Sequence, residues 1–219
     1  MNPKLYMSYL RKKGVSIGEG TQFLGSVNID VTRPCLVEIG KNCTLTNGVT
    51  ILTHSGVLAL RAIYGELLAS SGKVVLEENV FVGTHAMILK GVHVGKNTII
   101  GAGAVVTHDV PANSVAAGNP CRVIMGIDEY YEKRKKLYVE EAKAYALELF
   151  RKTGRVPRQE DFWEEFPLFL SRNESWEKLP VKKQLNSAIS SFERSKSLYK
   201  SFNDFLIDSG IPPDKVEGN

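Results

Sequence analysis

A six-residue period runs through the middle of the chain and excludes most folds. From Leu76 the sequence reads LEENVF, VGTHAM, ILKGVH, VGKNTI, IGAGAV and VTHDVP. Leu76, Val82, Ile88, Val94, Ile100 and Val106 hold the first position; Val80, Ala86, Val92, Thr98, Ala104 and Val110 hold the fifth. Shorter blocks begin at Ile39 (IGKNCT, LTNGVT, ILTHSG) and Ile17 (IGEGTQ, FLGSVN). An amphipathic helix repeats every ~3.6 residues and a half-buried strand every ~2, so neither produces this pattern. Two inward positions in six suit a short strand followed by a turn, with Gly and Asn supplying the turn backbone. Three such sides close a triangular coil of about 18 residues, and stacked coils bury the aliphatic column while pairing their backbones.

A narrow triangular interior leaves no room for rings, and the aromatic residues are placed accordingly. The chain has eight Tyr, nine Phe and two Trp. Only Tyr6, Tyr9, Phe23, Tyr64 and Phe81 precede residue 128. Two architectures therefore meet near Ile127. With 219 residues, 43% apolar and 24% charged, the chain can bury a sizeable core, and disorder, collagen and a small cysteine scaffold are excluded. A net charge of +4 is too mild to argue for nucleic acid, and Lys133–Lys136 reads as a solvated helix face. Cys35, Cys43 and Cys121 are odd in number and lack metal-ligand spacing, which points to reduced thiols and a cytoplasmic protein. The Asn173 sequon then carries no meaning. No apolar run approaches the ~20 residues of a membrane helix, and the first residues lack the apolar stretch of a secretory signal.

The hexads stop between His54 and Val74, where an excursion carrying Arg61, Tyr64 and Glu66 leaves the repeat. Such insertions often line the binding face of a repeat protein. The expected organisation is an N-terminal cap over 1–13, a repeat domain over 14–126 with its excursion at 55–74, and a helical extension over 127–219. Within the extension, Asp128 is the expected N-cap of a helix running to Gly154, with Tyr131, Tyr138, Ala142, Tyr145 and Leu149 along one face. Further helices are expected over QEDFWEEF and from Val181 to Asp208.

The segments 37–56 and 80–124, including VGTHAM, IIGAGAVV and VAAGNPCRVI, resemble the hexapeptide-repeat acyltransferases. Similar members are galactoside and maltose acetyltransferases, streptogramin acetyltransferases, and O-acetyltransferases of capsule and lipopolysaccharide synthesis. The resemblance implies a mainly β fold, a left-handed parallel β-helix with a C-terminal α-helical extension. It implies acetyl-coenzyme A as acyl donor, a sugar or polysaccharide-precursor hydroxyl as acceptor, no metal, and a homotrimer. It implies donor contacts at Gly83, Gly101, Ala102, Gly103, Thr107, Asn119, Pro120 and Arg122. Small residues there let the pantetheine arm lie against the backbone, and the Arg122 guanidinium suits a phosphate. Gly118, Asn119 and Pro120 form the turn leaving the last coil. Asn47, Tyr64 and Glu66 are the expected acceptor contacts.

Transfer to a hydroxyl needs a base, and histidine titrates near neutrality. His85 matches the catalytic position of the galactoside-type enzymes and His54 that of the streptogramin-type, so both stay open. His93 and His108 are read as solvated. The alternatives within the fold are an antibiotic or an amino sugar as acceptor. From other classes they are a carbonic-anhydrase-type metal enzyme, which needs three converging histidines, and a non-catalytic scaffold.

Overall fold

The computed structural model describes residues 2–56, 58–172 and 179–217; Asn173 lies outside them. It divides into two compact units, residues 1–131 and 132–219.

The first unit opens with the helix Pro3–Lys13. Asn2 accepts the Lys4 N–H, proline occupies the first turn, and Arg11, Lys12 and Lys13 lie in the last turn, where cations suit the helix dipole. Gly14, at φ 108°, ends it. Leu10 is the residue this helix buries fully.

From Ser16 the chain passes through three parallel sheets in rotation. One sheet stacks Ser16–Ile17, Val37–Ile39, Val74–Leu76 and His93–Val94. The second stacks Gln22–Leu24, Thr44–Thr46, Phe81–Val82, Ile99–Ile100 and Ser114–Ala117. The third stacks Asn28–Ile29, Thr50–Ile51, Met87–Ile88 and Val105–Val106. Register pairs each first-position residue with its counterpart one circuit on, as in Leu45 with Val82 and Val82 with Ile100. The first- and fifth-position side chains of the hexads from Leu76 to Val106 are buried. Burying each of the larger aliphatic ones contributes roughly 1.5–3 kcal/mol at most. Phe23 corrects the expectation that rings are excluded: it is 4% exposed inside the first circuit. Its ring centroid lies 6.3 Å from that of Tyr6. A ring fits here because this circuit is the end of the stack, covered by a helix and not by another coil.

The fourth hexad position makes most of the corners. Gly20, Asn42, Gly48, Asn79, His85, Gly91, Asn97 and Gly103 all have positive φ there. Glycine has no Cβ to clash in this conformation, and asparagine tolerates it. Asparagines also stack: Asn79 Nδ2 donates to Asn97 Oδ1 at 3.0 Å and Asn97 Nδ2 to Asn113 Oδ1 at 2.9 Å.

Three steps depart from six residues, one of them the four-residue step from Val106 to Val110, which bridges Val94 in parallel. Ile29 and Ile39 are ten apart, the difference being taken up by a turn that ends in the 3-10 segment Pro34–Leu36. The excursion after Thr53 is an antiparallel hairpin of His54–Gly56 with Ala69–Ser71, carrying the short helix Ala59–Tyr64. Gly72 N–H donates to Thr53 O at 2.9 Å, closing its base. At the far end Ser114–Ala117 pairs antiparallel with Arg122–Gly126.

The helix Ile127–Thr153 leads into the second unit and ends at Gly154, φ 67°. Asp128 lies in its first turn, not at its cap. Its buried residues are Ala142 and Ala146, whereas Tyr131 and Tyr145 are 60% and 44% exposed, so the apolar face is narrower than the tyrosine spacing suggests. QEDFWEEF is not an α-helix. It holds the 3-10 turn Gln159–Asp161, because the Asp161 carboxylate accepts from Arg155 and from the Arg158 N–H and so fixes a turn. Val181–Asp208 is not one helix either. It breaks into Val181–Leu185, Asn186–Ala188, Ile189–Arg194 and Phe202–Asp208. Arg172 bonding to Phe192 O and Ser195 Oγ, and Tyr199 N–H donating to Leu168 O, hold the chain extended between the last two. Pro213 begins the short helix Pro213–Glu217. The core is aromatic, with Phe162 edge-on to Phe169, Phe202 and Phe205. No helix among the described residues is long and apolar enough to cross a membrane.

Candidate active site

His54 follows the third-sheet strand Thr50–Ile51 at the corner where the hairpin departs. Its Nδ1 is 2.6 Å from Asp30 Oδ2 and 3.2 Å from Thr32 Oγ1. Asp30 and Thr32 come from the widened step one circuit below. The Asp30 side chain is 5% exposed and that of His54 36%. Five donors converge on Asp30. The Thr32 N–H and Oγ1–H reach Oδ1 at 3.0 and 2.6 Å. The Thr53 N–H and Oγ1–H reach Oδ2 at 3.2 and 2.6 Å, and His54 completes the set. Burial works against the Asp30 charge, but the hydrogen bonds from Thr32, Thr53 and His54 outweigh it and hold the carboxyl well below the usual carboxylate range. A carboxylate only accepts, so Nδ1 carries the proton and the lone pair sits on Nε2. This histidine is oriented to take a proton at Nε2. Asp30 was missed in the sequence because it stands 24 residues from His54 and in no recognisable motif.

His85 occupies a different corner, between Phe81–Val82 and Met87–Ile88, so the third sheet separates it from His54. It is exposed, at φ 59°, and is the one residue of the first unit at positive φ, among those described, that is neither Gly nor Asn. Its ring lies over Gly48, where an added Cβ would come 2.2 Å from Nδ1. The His85 N–H donates to Asn47 O at 2.9 Å. Asn47 thus sits beneath His85, but its Oδ1 already accepts the Ser26 N–H at 2.9 Å. Tyr64 is 70% exposed on the hairpin helix, and Glu66 is exposed just beyond it. His93 is exposed, with its Nε2 2.9 Å from Glu77 Oε1, just beyond the first-sheet strand Val74–Leu76. His108 Nδ1 contacts Thr107 Oγ1 at 2.8 Å. His54, His85 and His93 therefore do not converge, and among the described residues no three His, Cys, Asp or Glu side chains are grouped to hold a metal.

The expected donor residues fall into two sets. Gly83 and Gly101 are required by packing. A Cβ on Gly83 would lie 2.5 Å from Ala102 N, and one on Gly101 2.8 Å from Ala117 Cβ. Ala102 and Gly103 are exposed at the corner above His85, and Gly103 faces open space. The turn of Gly118, Asn119 and Pro120 folds onto the third sheet, with Val105 N–H donating to Gly118 O and Cys121 N–H to Val105 O. That brings His108 and Arg122 to one cavity of about 290 Å³, lined also by Asp109, Val110, Cys121 and Val123. Thr107 adjoins it through His108. Arg122 is exposed and donates to Cys121 O at 2.8 Å.

Residues 73–108 match the family described as bacterial transferase hexapeptide (six repeats), and residues 35–53 the hexapeptide repeat of succinyl-transferase. The chain is 37% identical over 142 residues to galactoside O-acetyltransferase of Escherichia coli strain K12, covering 63% of this chain and 67% of that protein. It is 38% identical over 161 residues to protein CapG of Staphylococcus aureus, covering 69% and 92% respectively. A solved galactoside acetyltransferase in complex with coenzyme A is 28% identical, with 57% of this chain and 70% of that one covered at a TM-score of 0.44. With its six-residue repeat of short rotating strands and its sequence likeness to these two relatives, the chain belongs to the hexapeptide-repeat acyltransferase family.

Proposed function

We propose that the protein is an acetyl-coenzyme A-dependent O-acetyltransferase acting on a hydroxyl of a sugar or polysaccharide precursor, with His54 as general base. The observation that carries this reading is the 2.6 Å contact between His54 Nδ1 and a buried, fully hydrogen-bonded Asp30. Asp30 fixes the tautomer and stabilises the imidazolium. His54 Nε2 takes the acceptor's hydroxyl proton as its oxygen bonds to the thioester carbonyl carbon. The carbon–sulfur bond then breaks, and the proton returns from His54 to the departing thiolate. This direct transfer needs no cysteine nucleophile. The donor's pantetheine arm runs past Ala102 and Gly103, and Arg122 with Thr107 takes its phosphoadenosine end. Tyr64 and Glu66 on the hairpin face the acceptor. The winding is a left-handed β-helix, the assembly a homotrimer and the compartment cytoplasmic.

His85 is the second reading for the base. It is favoured by an imidazole held at a positive-φ corner that otherwise takes Gly or Asn. Thiol release from acetyl-coenzyme A in the presence of a panel of sugars decides between them. His54→Ala lowers kcat by about 10²–10⁴-fold with donor binding kept, and His85→Ala retains most turnover. The converse moves the base to His85. Full turnover in both variants sinks the histidine mechanism.

A further inference from the structure

The turn that carries Asp30 also brings a hydroxyl to His54. Asp30 follows the strand Asn28–Ile29, and its N–H donates to Ile51 O at 3.0 Å, which seats it one circuit below Thr53 and His54. Thr32, two residues on, closes a turn by giving its N–H to Asp30 Oδ1 at 3.0 Å. Its Oγ1 then stands 2.6 Å from Asp30 Oδ1 and 3.2 Å from His54 Nδ1. The protons settle the direction of each bond. A hydroxyl has one proton, and a carboxylate oxygen accepts only. The Thr32 proton is therefore spent on Asp30, and a lone pair faces His54. The Thr53 hydroxyl proton is spent on Asp30 Oδ2 at 2.6 Å in the same way. His54 Nδ1–H thus points at two acceptors, Asp30 Oδ2 at 2.6 Å and Thr32 Oγ1 at 3.2 Å. Burial opposes the Asp30 charge, and the hydrogen bonds of Thr32 and Thr53 sustain it more than that of His54 does. The two hydroxyls thereby keep the Nδ1 proton on the ring when Nε2 takes a second one.

We infer that Thr32 is a positioning residue for the reaction, accepting from His54 Nδ1–H while it donates to Asp30. The inference rests on the reading of His54 as the base and deepens it. A carboxylate alone holds the ring by one hydrogen bond and leaves it free to swing about the line from Nδ1 to Oδ2. Nε2 lies across the ring, so such a swing carries its lone pair off the acceptor's hydroxyl. A second acceptor at Nδ1 removes that freedom. It also disfavours the Nε2–H tautomer, in which the Nδ1 lone pair would face lone pairs on two oxygens. Thr32 comes from the widened step and His54 from the circuit above, so the contact ties the base to a turn that the six-residue period does not supply.

Thr32 is exposed, so substitution there leaves the stacked core intact. Thr32→Val trades the hydroxyl for a methyl, and Thr32→Ser keeps the hydroxyl. Thiol release and long-range ¹H–¹⁵N spectra of the histidine rings at alkaline pH are measured on the full chain. It has four histidines, and His54→Asn assigns the His54 signals. The wild type is expected to show Nδ1 protonated and Nε2 bare. Thr32→Val is expected to shift His54 measurably toward the Nε2–H form and to lower kcat by about 10–100-fold, with the donor's KM within about threefold of wild type. Thr32→Ser is expected to restore both the spectrum and the rate. An unchanged ring spectrum in Thr32→Val, an unchanged kcat, or a loss that Thr32→Ser shares overturns the inference. Turnover by His54→Ala is the separate test of the base. If it persists, that assignment fails, while the ring spectrum of Thr32→Val still decides whether Thr32 holds the ring.

Discussion

Asp30→Asn changes one atom pair and tests the core of the mechanism. Five donors converge on the native carboxylate. An amide keeps one acceptor oxygen and turns an NH₂ toward the rest, so at least two donors lose their acceptor. At about 1–3 kcal/mol for each buried donor left unpaired, the variant loses roughly 2–6 kcal/mol, or about 4–24 °C in thermal midpoint. The kinetic effect is separate. An amide oriented toward Thr32 and Thr53 no longer holds the proton on His54 Nδ1, so Nε2 is protonated for part of the time and the base is blocked. At a temperature well below the midpoint, kcat is expected to fall by about 10²–10³-fold with the donor's KM little changed. Because Asp30 acts through His54, Asp30→Asn in a His54→Ala background is expected to add nothing further. Steady-state thiol release on the two single variants and the double variant is the assay. A kcat for Asp30→Asn within threefold of wild type refutes the positioning role, and so does a further loss in the double variant.

Acid stability gives an independent reading. Asp30 is held below its ordinary value of 3.8, so the stability it contributes is complete above that pH and is lost as pH falls below it. Thermal midpoints measured from pH 5 down to 2.5 are expected to drop more steeply in the wild type than in Asp30→Asn; parallel slopes would contradict this. Gly48→Ala places a Cβ at φ 76°, 2.2 Å from His85 Nδ1. It is expected to destabilise by about 1–2 kcal/mol and push the ring aside with kcat within tenfold of wild type, and a hundredfold loss would implicate His85 in proton transfer. Asn97→Ala removes two ladder hydrogen bonds at φ 56° and is expected to cost about 2–3 kcal/mol by denaturant unfolding. Asn97→Gly is expected to recover the backbone part of that loss; equal costs for both variants would show that the corner conformation is not the constraint.

The inward column of the repeat was legible residue by residue. Leu76 through Val106 read as inward at every sixth position because each circuit presents the same backbone to the same interior, so a local period carries tertiary information. The excursion after His54 and the helix ending at Gly154 were also visible, the first marked by a break in period and the second by its terminal glycine. The second unit was less so. Tyr131 lies at helical spacing yet is 60% exposed, Tyr145 touches the core only through an edge contact with Phe162, and Val181–Asp208 breaks where Arg172 and Leu168, distant in sequence, hold the chain open. The deepest divide is at the candidate site. The sequence by itself supplied two equivalent histidines and determined that His54 and His85 fall at corners. Only the tertiary structure set Asp30 against one of them, because that contact joins successive circuits across a step whose length departs from the period, and a period cannot report what its own interruptions bring together.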